Sequence, residues 1–110
     1  MESIEFMVQG SADEPYHVVF TKEGNNLNAY CTCPAGEFGL YCKHRFDILA
    51  GKTKAIVSDN IDQAPTVQSW LPGSDIEDAL KKLEKAEQEY KRAKKLVSEA
   101  KKNVAIAMRT

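Results

Sequence analysis

The sequence predicts an α+β fold, with a small antiparallel β-sheet and a short helix in the first half and one long helix at the carboxy terminus. Short apolar segments separated by turn residues occupy the chain before residue 51, whereas residues 75–110 contain no glycine or proline. We therefore divide the chain into a module at residues 1–51, an irregular connector at 52–74 and a long amphipathic helix at 75–109.

Three strands are predicted in the module. Residues 3–9 alternate apolar and polar side chains, and residues 16–22 are rich in β-branched and aromatic side chains. Residues 27–31 return as the third strand after a turn that contains Gly24, a residue that tolerates positive φ. These three segments predict a meander of antiparallel strands.

A short helix and an irregular segment follow the strands. The apolar side chains of residues 42–50 suit a helix, and Gly51 is the residue type that commonly ends one. In the connector, prolines interrupt the apolar residues. We expect Trp70 to anchor part of the connector on the sheet or on the long helix, because its large side chain is unfavourable in water.

Composition narrows the class of protein. Charged residues make up 28% of the chain, and no apolar run approaches the roughly 18 residues needed to span a membrane. The amino terminus shows no signal-peptide pattern. Three cysteines are an odd number, which argues against a closed disulfide framework and favours thiolates in a reducing compartment. We therefore expect a cytoplasmic protein without membrane segments.

All the cysteines of the chain lie in one short segment that also holds a histidine. Cys31 and Cys33 are separated by one residue, as are Cys42 and His44, and the four fall within 14 residues. Three thiolates and one imidazole meet the tetrahedral requirement of structural zinc. The segment predicts one structural zinc ion per chain, bound by these four residues, with small buried side chains and no metal as the alternative.

An enzyme is not expected. A catalytic zinc keeps an open coordination position and usually has a nearby general base, and here protein ligands fill all four positions. Glu37 lies between the two ligand pairs, but a lone loop carboxylate is most often solvated. His17, on the second strand, is interpreted as a residue of the sheet surface and not as a fifth ligand.

The ligand pattern also resembles a known family. Cys-x-Cys followed by Cys-x-His, within Tyr30-Cys31-Thr32-Cys33-Pro34 and Tyr41-Cys42-Lys43-His44, is similar to the SWIM zinc-binding domain, as is the preceding hairpin. The resemblance covers roughly residues 3–51. It implies two or three strands followed by a helix, with zinc where they meet and the same four ligands. It also implies partners that are DNA or protein.

The long helix carries a heptad pattern. Ser74 and Glu77 form a capping box at its start. Large apolar residues recur every seven residues, and alanines recur three residues after them, a pattern we call the seam. Its members are Ile76, Ala79, Leu83, Ala86, Tyr90, Ala93, Val97, Ala100, Val104 and Ala107. A seam this narrow predicts a left-handed coiled coil, hence a homodimer.

Two features of this helix stay open at the level of sequence. Leu80, Leu96 and Ile106 lie outside the seam and would suit packing of the helix on its own domain instead. In a dimer, parallel pairing places Lys82 near Glu87 and Glu89 near Lys94 of the second copy, while an alanine seam more often suits antiparallel helices. The sequence pattern permits either orientation.

Charge separates two functional hypotheses. Residues 1–74 hold 5 basic and 9 acidic side chains, a net charge of −4, and residues 75–110 hold 10 and 7, a net charge of +3. An acidic zinc half favours a protein partner, because DNA binding needs a basic surface. We therefore predict a non-enzymatic module for protein–protein association, with DNA binding through the basic helix as the alternative. No small-molecule substrate is expected.

Overall fold

The first part of the chain folds into an antiparallel sheet, as the sequence predicts. The computed structural model describes residues 2–109. The strands are β1 (Glu2–Val8), β2 (Tyr16–Glu23) and β3 (Asn26–Cys31), and they lie side by side in that order. The turn between β2 and β3 contains Gly24 at φ +61°, the left-handed conformation that glycine adopts without steric cost.

Helices follow the sheet, so the predicted α+β class is confirmed. They are α1 (Pro34–Glu37), α2 (Lys43–Leu49), a 3₁₀ turn (Ile61–Gln63), α3 (Ala64–Ser69) and α4 (Asp75–Ala107). The single turn α1 and the helix α3 were not predicted. Both begin with proline in the first turn, where its missing N–H costs nothing.

One face of the sheet and the helices enclose the core. Phe6 and Phe20, on neighbouring strands, are fully buried and pack edge to face with ring centroids 6.1 Å apart. Ile48 of α2 and Val67 of α3 are also buried in this core. The three cysteines belong to the same buried cluster and form no disulfide. Three of the four candidate ligands are therefore part of the hydrophobic core.

The predicted connector, residues 52–74, is more ordered than expected. It covers the outer edge of β1: the N–H of Val57 donates to the carbonyl of Met7 at 2.8 Å, and the N–H of Met7 donates to Ser58 Oγ at 3.1 Å. Trp70 is 9% exposed in the core cluster, so its predicted anchoring role is confirmed. This packing removes the apolar residues Ile56, Ala64, Val67 and Trp70 of the connector from water.

The first turn of α4 is tied to the sheet. The predicted cap forms at Ser74, whose Oγ accepts from the N–H of Glu77 at 3.2 Å. The Glu77 carboxylate accepts from the N–H of Gly73 at 3.2 Å, one residue before the donor expected in a capping box. Asp75 Oδ1 accepts from the N–H of Leu27 on β3 at 3.1 Å. These bonds define where the helix starts.

The chain forms two compact units, residues 1–77 and 78–110. Ile76, the first predicted seam residue, is partly buried against the core of the first unit. From Ala79 to Ala107, α4 contains no buried residue. Among residues 2–109, none of the helices combines the length and the apolar character needed to cross a membrane.

Candidate metal centre

Four side chains converge where β3, α1 and α2 meet. The ligand atoms of Cys31, Cys33, Cys42 and His44 all lie within 4.8 Å of one another. The Sγ atoms of Cys33 and Cys42 are 3.3 Å apart, and Nδ1 of His44 lies 3.4 Å from Cys42 Sγ and 3.9 Å from Cys31 Sγ. The structure thus brings together every residue that the sequence predicted as a ligand.

Local backbone structure places each pair of candidate ligands. Cys31 is the last residue of β3, and Cys33 precedes α1 with an extended backbone at φ −63° and ψ 158°. Cys42 is the residue before α2, and His44 lies in the first turn of that helix. The first pair therefore lies at the end of β3 and the second at the start of α2. At both places the chain changes direction, so side chains can converge.

Backbone N–H groups point at the cysteine sulfurs. The N–H of Cys33 donates to Cys31 Sγ at 3.5 Å, and the N–H of Gly36 donates to Cys33 Sγ at 3.3 Å. Gly36 is required for this approach, because a Cβ there would overlap the carbonyl and Cβ of Cys31. Such donors favour a thiolate over a thiol, which is the form that binds metal.

The two most perturbed thiols titrate in opposite directions. Burial is the main reason that the pKa of Cys31 is raised to about 12. Burial also raises the pKa of Cys42, but the backbone N–H of Arg45 and hydrogen bonds with Cys33, His44 and Cys31 lower it to about 6. Because the two sulfurs interact directly, the contacts that favour ionisation of Cys42 disfavour ionisation of Cys31.

The ring of His44 packs against Tyr16 and the backbone of Gly10. The Tyr16 ring packs against it at a centroid distance of 5.0 Å and an angle of 50°. The backbone of Gly10 lies on the same side, where an added Cβ would be 2.5 Å from the Tyr16 ring and 3.0 Å from Nε2 of His44. This close packing keeps Nδ1 directed at the cysteines, the kind of outer support that metal-binding histidines need.

Arg45 joins the segments that carry the ligands. Its Nη1 donates to the carbonyl of Ala29 on β3 at 3.1 Å, and its Nη2 donates to the carbonyl of Leu40 in the loop before Cys42. The guanidinium therefore links the strand that ends at Cys31 to the loop that leads into Cys42. Because its donors are charged, each bond is stronger than a neutral one.

The donor set fits a tetrahedral metal. Metal–sulfur bonds of about 2.3 Å give a tetrahedron whose donors are about 3.8 Å apart. Three of the six separations between donors, 3.3, 3.4 and 3.9 Å, bracket that edge, and all six are within 4.8 Å. Three sulfurs and one imidazole nitrogen are typical of structural zinc, and the cysteines are 0 to 3% exposed.

Comparison with known families agrees with this geometry. Residues 16–45 match the model of the SWIM zinc finger family. The match covers 30 of the 110 residues, and over that stretch the chain is similar to a SWIM zinc finger. The stretch contains β2, β3, α1 and the first turn of α2, with all four candidate ligands. The resemblance that the Cys-x-Cys and Cys-x-His motifs predicted is confirmed. Searches of the curated proteins and of the solved structures found no match.

The other two polar residues considered from the sequence, His17 and Glu37, lie outside the candidate metal centre. His17 is on the exposed face of the sheet, where its Nδ1 is 2.7 Å from Glu5 Oε1 and its side chain is 50% exposed. Its interpretation as a residue of the sheet surface is confirmed. Glu37 ends α1 and is exposed. Neither belongs to the cluster of ligand atoms.

Sequence reasoning missed the residues that support the candidate metal centre. Nothing in the sequence pattern distinguishes Gly10 or Tyr16 from other turn and strand residues, although both pack on His44. Arg45 was not singled out. The contacts of Gly10 and Tyr16 join segments that are far apart in the chain, and a single sequence carries no signal that could have found them.

Proposed function

We propose that the first unit binds one zinc ion per chain through Cys31, Cys33, Cys42 and His44, and that this ion is structural. The convergence of four donors, with the three cysteines inside the hydrophobic core, carries the proposal. A unit of this size buries little apolar surface, and small domains commonly recruit metals for stability. Structural zinc contributes on the order of 10 kcal/mol to folding in such modules.

Native mass spectrometry of the purified chain tests the metal assignment. We expect one zinc per chain, and we expect Cys33→Ser to lose it, because a hydroxyl is a poor zinc ligand. Thr32→Ser is the matched control, since it lies between the same two ligands and keeps the hydroxyl that accepts from the N–H of His17. A folded, metal-free wild-type chain would contradict the proposal.

The role of the zinc module is association with a protein, in a dimer formed through α4. The loop between the ligand pairs, residues 34–41, supports a protein target. Its side chains Phe38, Leu40 and Tyr41 are 81, 61 and 64% exposed, and Glu37 is its single charged residue. Exposed apolar groups of this size suit a protein surface better than a phosphate backbone.

DNA binding is the second candidate, and one observation favours it. Residues 91–109 of the second unit carry seven basic side chains and one acidic one. Fluorescence anisotropy with a labelled DNA duplex separates the two functions. The protein-binding proposal expects no saturable binding at physiological salt. A submicromolar affinity that falls steeply with salt would instead show that α4 contacts phosphates. No catalytic role is proposed.

A further inference from the structure

The second unit presents the seam of α4 on one exposed face. The large seam residues Leu83, Tyr90, Val97 and Val104 are 37, 69, 55 and 53% exposed, and an alanine follows each of them three positions later. Side chains at this spacing share one face of a helix. The face therefore alternates wide and narrow positions along its length.

This alternation has different consequences for the two orientations of a helix pair. In a parallel pair, Tyr90 faces Tyr90 and Ala93 faces Ala93, so a wide layer and a narrow layer follow each other about 4.5 Å apart along the axis. The layers of large residues need a longer distance between the helix axes than the alanine layers do. Straight helices cannot meet both distances, so the alanine layers would lose van der Waals contacts. In an antiparallel pair, every layer combines one large residue with one alanine.

The antiparallel register is complete within the second unit. Pairing Tyr90 with Ala93 of the second copy also pairs Leu83 with Ala100, Val97 with Ala86 and Val104 with Ala79. Each of these four pairs occurs twice by symmetry. Ile76, which is partly buried on its own core, is not needed. Uniform layers with alanine on one side allow helix axes at the short end of the usual 8–10 Å range.

Charge along α4 favours the same orientation. Residues 75–90 hold three basic and six acidic side chains, whereas residues 91–109 hold seven basic and one acidic. An antiparallel pair sets the acidic half of each helix beside the basic half of the other. A parallel pair sets the two basic halves side by side, within the screening length of about 8 Å at physiological salt.

The number of ion pairs between residues that flank the seam does not decide the orientation. The parallel pair matches Lys82 with Glu87 and Glu89 with Lys94 of the second copy, and the antiparallel pair matches Glu87 with Lys94. Exposed ion pairs each contribute little. Packing of the layers and the opposed charge of the two halves therefore outweigh them.

We infer that two copies of the chain associate through α4 in antiparallel orientation, with each large seam residue opposite an alanine of the second copy. The inference rests on the proposed dimer and names its geometry. We expect a second copy of the chain to bind the seam of α4, because this face is complementary to itself in both side-chain size and charge.

A charge exchange between the flanking positions distinguishes the orientations. Sedimentation equilibrium of the zinc-loaded full chain gives the dimer Kd of wild type, of Glu87→Lys and of the double variant Glu87→Lys with Lys94→Glu. Glu87→Lys creates repulsive pairs in either orientation and raises Kd about tenfold. In the antiparallel dimer the double variant restores the pairs of opposite charge, so Kd returns to within about threefold of wild type.

The double variant behaves differently in a parallel dimer. There the lysine introduced at position 87 faces Lys82, the glutamate introduced at position 94 faces Glu89, and Kd rises further than with Glu87→Lys alone. That result would overturn the antiparallel geometry while leaving the proposed dimer intact. A monomeric wild-type chain would overturn both. The matched control is Glu84→Lys with Lys95→Glu, the same exchange at positions away from the seam, for which Kd stays at the wild-type value.

Lysine cross-linking of a mixed sample gives a second readout on the unmodified chain. When isotopically light and heavy chains are mixed, light–heavy links report contacts between copies. The antiparallel dimer predicts links between Lys82 of one copy and Lys101 of the other. Light–heavy links that join Lys101 to Lys101 would contradict it.

Discussion

His44 is the one non-cysteine member of the candidate centre, and its position depends on residues outside the set of ligands. The imidazole must present Nδ1 to the cysteines, and the Tyr16 ring and the Gly10 backbone restrict its rotation. At the scale of the residue, therefore, metal affinity depends on packing around the ligand as much as on the ligand itself.

Gly10→Ala tests this packing. The added Cβ would overlap the Tyr16 ring at 2.5 Å and approach Nε2 of His44 at 3.0 Å. Displacement of the imidazole is expected to weaken zinc binding by about 10- to 100-fold, measured by competition with a chromophoric chelator. Ser11→Ala, at the next position, is the control and leaves the affinity unchanged. Equal affinities for Gly10→Ala and wild type would contradict the role of the glycine.

At the scale of the element, the centre depends on the joint between β3, the loop 34–41 and α2. The end of a strand supplies Cys31, the start of a helix supplies Cys42 and His44, and Arg45 links the strand to the loop. Ideal helices and strands cannot by themselves hold their ends at a set separation. The guanidinium bonds do so across the joint.

Arg45→Ala removes both bonds and leaves the carbonyls of Ala29 and Leu40 without this donor. We expect the free energy of unfolding of the zinc-loaded chain to fall by about 2–3 kcal/mol, because two charge-assisted bonds are lost. Thermal unfolding followed by circular dichroism measures the change. Lys43→Ala, an exposed cation on the same helix, should change stability by less than about 0.5 kcal/mol. Equal losses in the two variants would show that Arg45 holds nothing in place.

For the whole molecule, the two compact units are stabilised by different interactions. The first unit, residues 1–77, has a core that includes the three cysteines. In the second unit the helix buries no side chain of its own. An isolated helix gains most of its stability from packing against a partner. The stability of the first unit should therefore depend on metal, and the stability of the helix in the second unit should depend on chain concentration.

Chelation separates these two dependences. With a zinc chelator, we expect the sheet signal in circular dichroism and the near-ultraviolet signal of Trp70 to be lost, because the core loses its metal link. The signal of α4 should persist at high chain concentration and decrease on dilution. A sheet that survives chelation would contradict a structural metal, and a helix signal independent of dilution would contradict the dimer.

Much of this protein could be predicted from its sequence, because the relevant signals are local. The strand alternation, the turn at Gly24, the cap at Ser74 and the long helix each depend on neighbours within a few residues. The ligand set was equally local, since all the cysteines lie within 14 residues of His44. Short-range patterns of this kind determine element type and ligand chemistry without tertiary information.

Only the tertiary structure decided how distant segments support the centre. Gly10 and Tyr16 reach His44, Asp75 caps the N–H of Leu27, and the connector covers the edge of β1. These contacts depend on which surfaces lie against each other once the apolar residues have left water. The hydrophobic effect is not directional, so a single sequence does not specify which distant segments pack against each other. The sequence by itself determined the elements and the ligands, and the packing of the core determined what holds them in place.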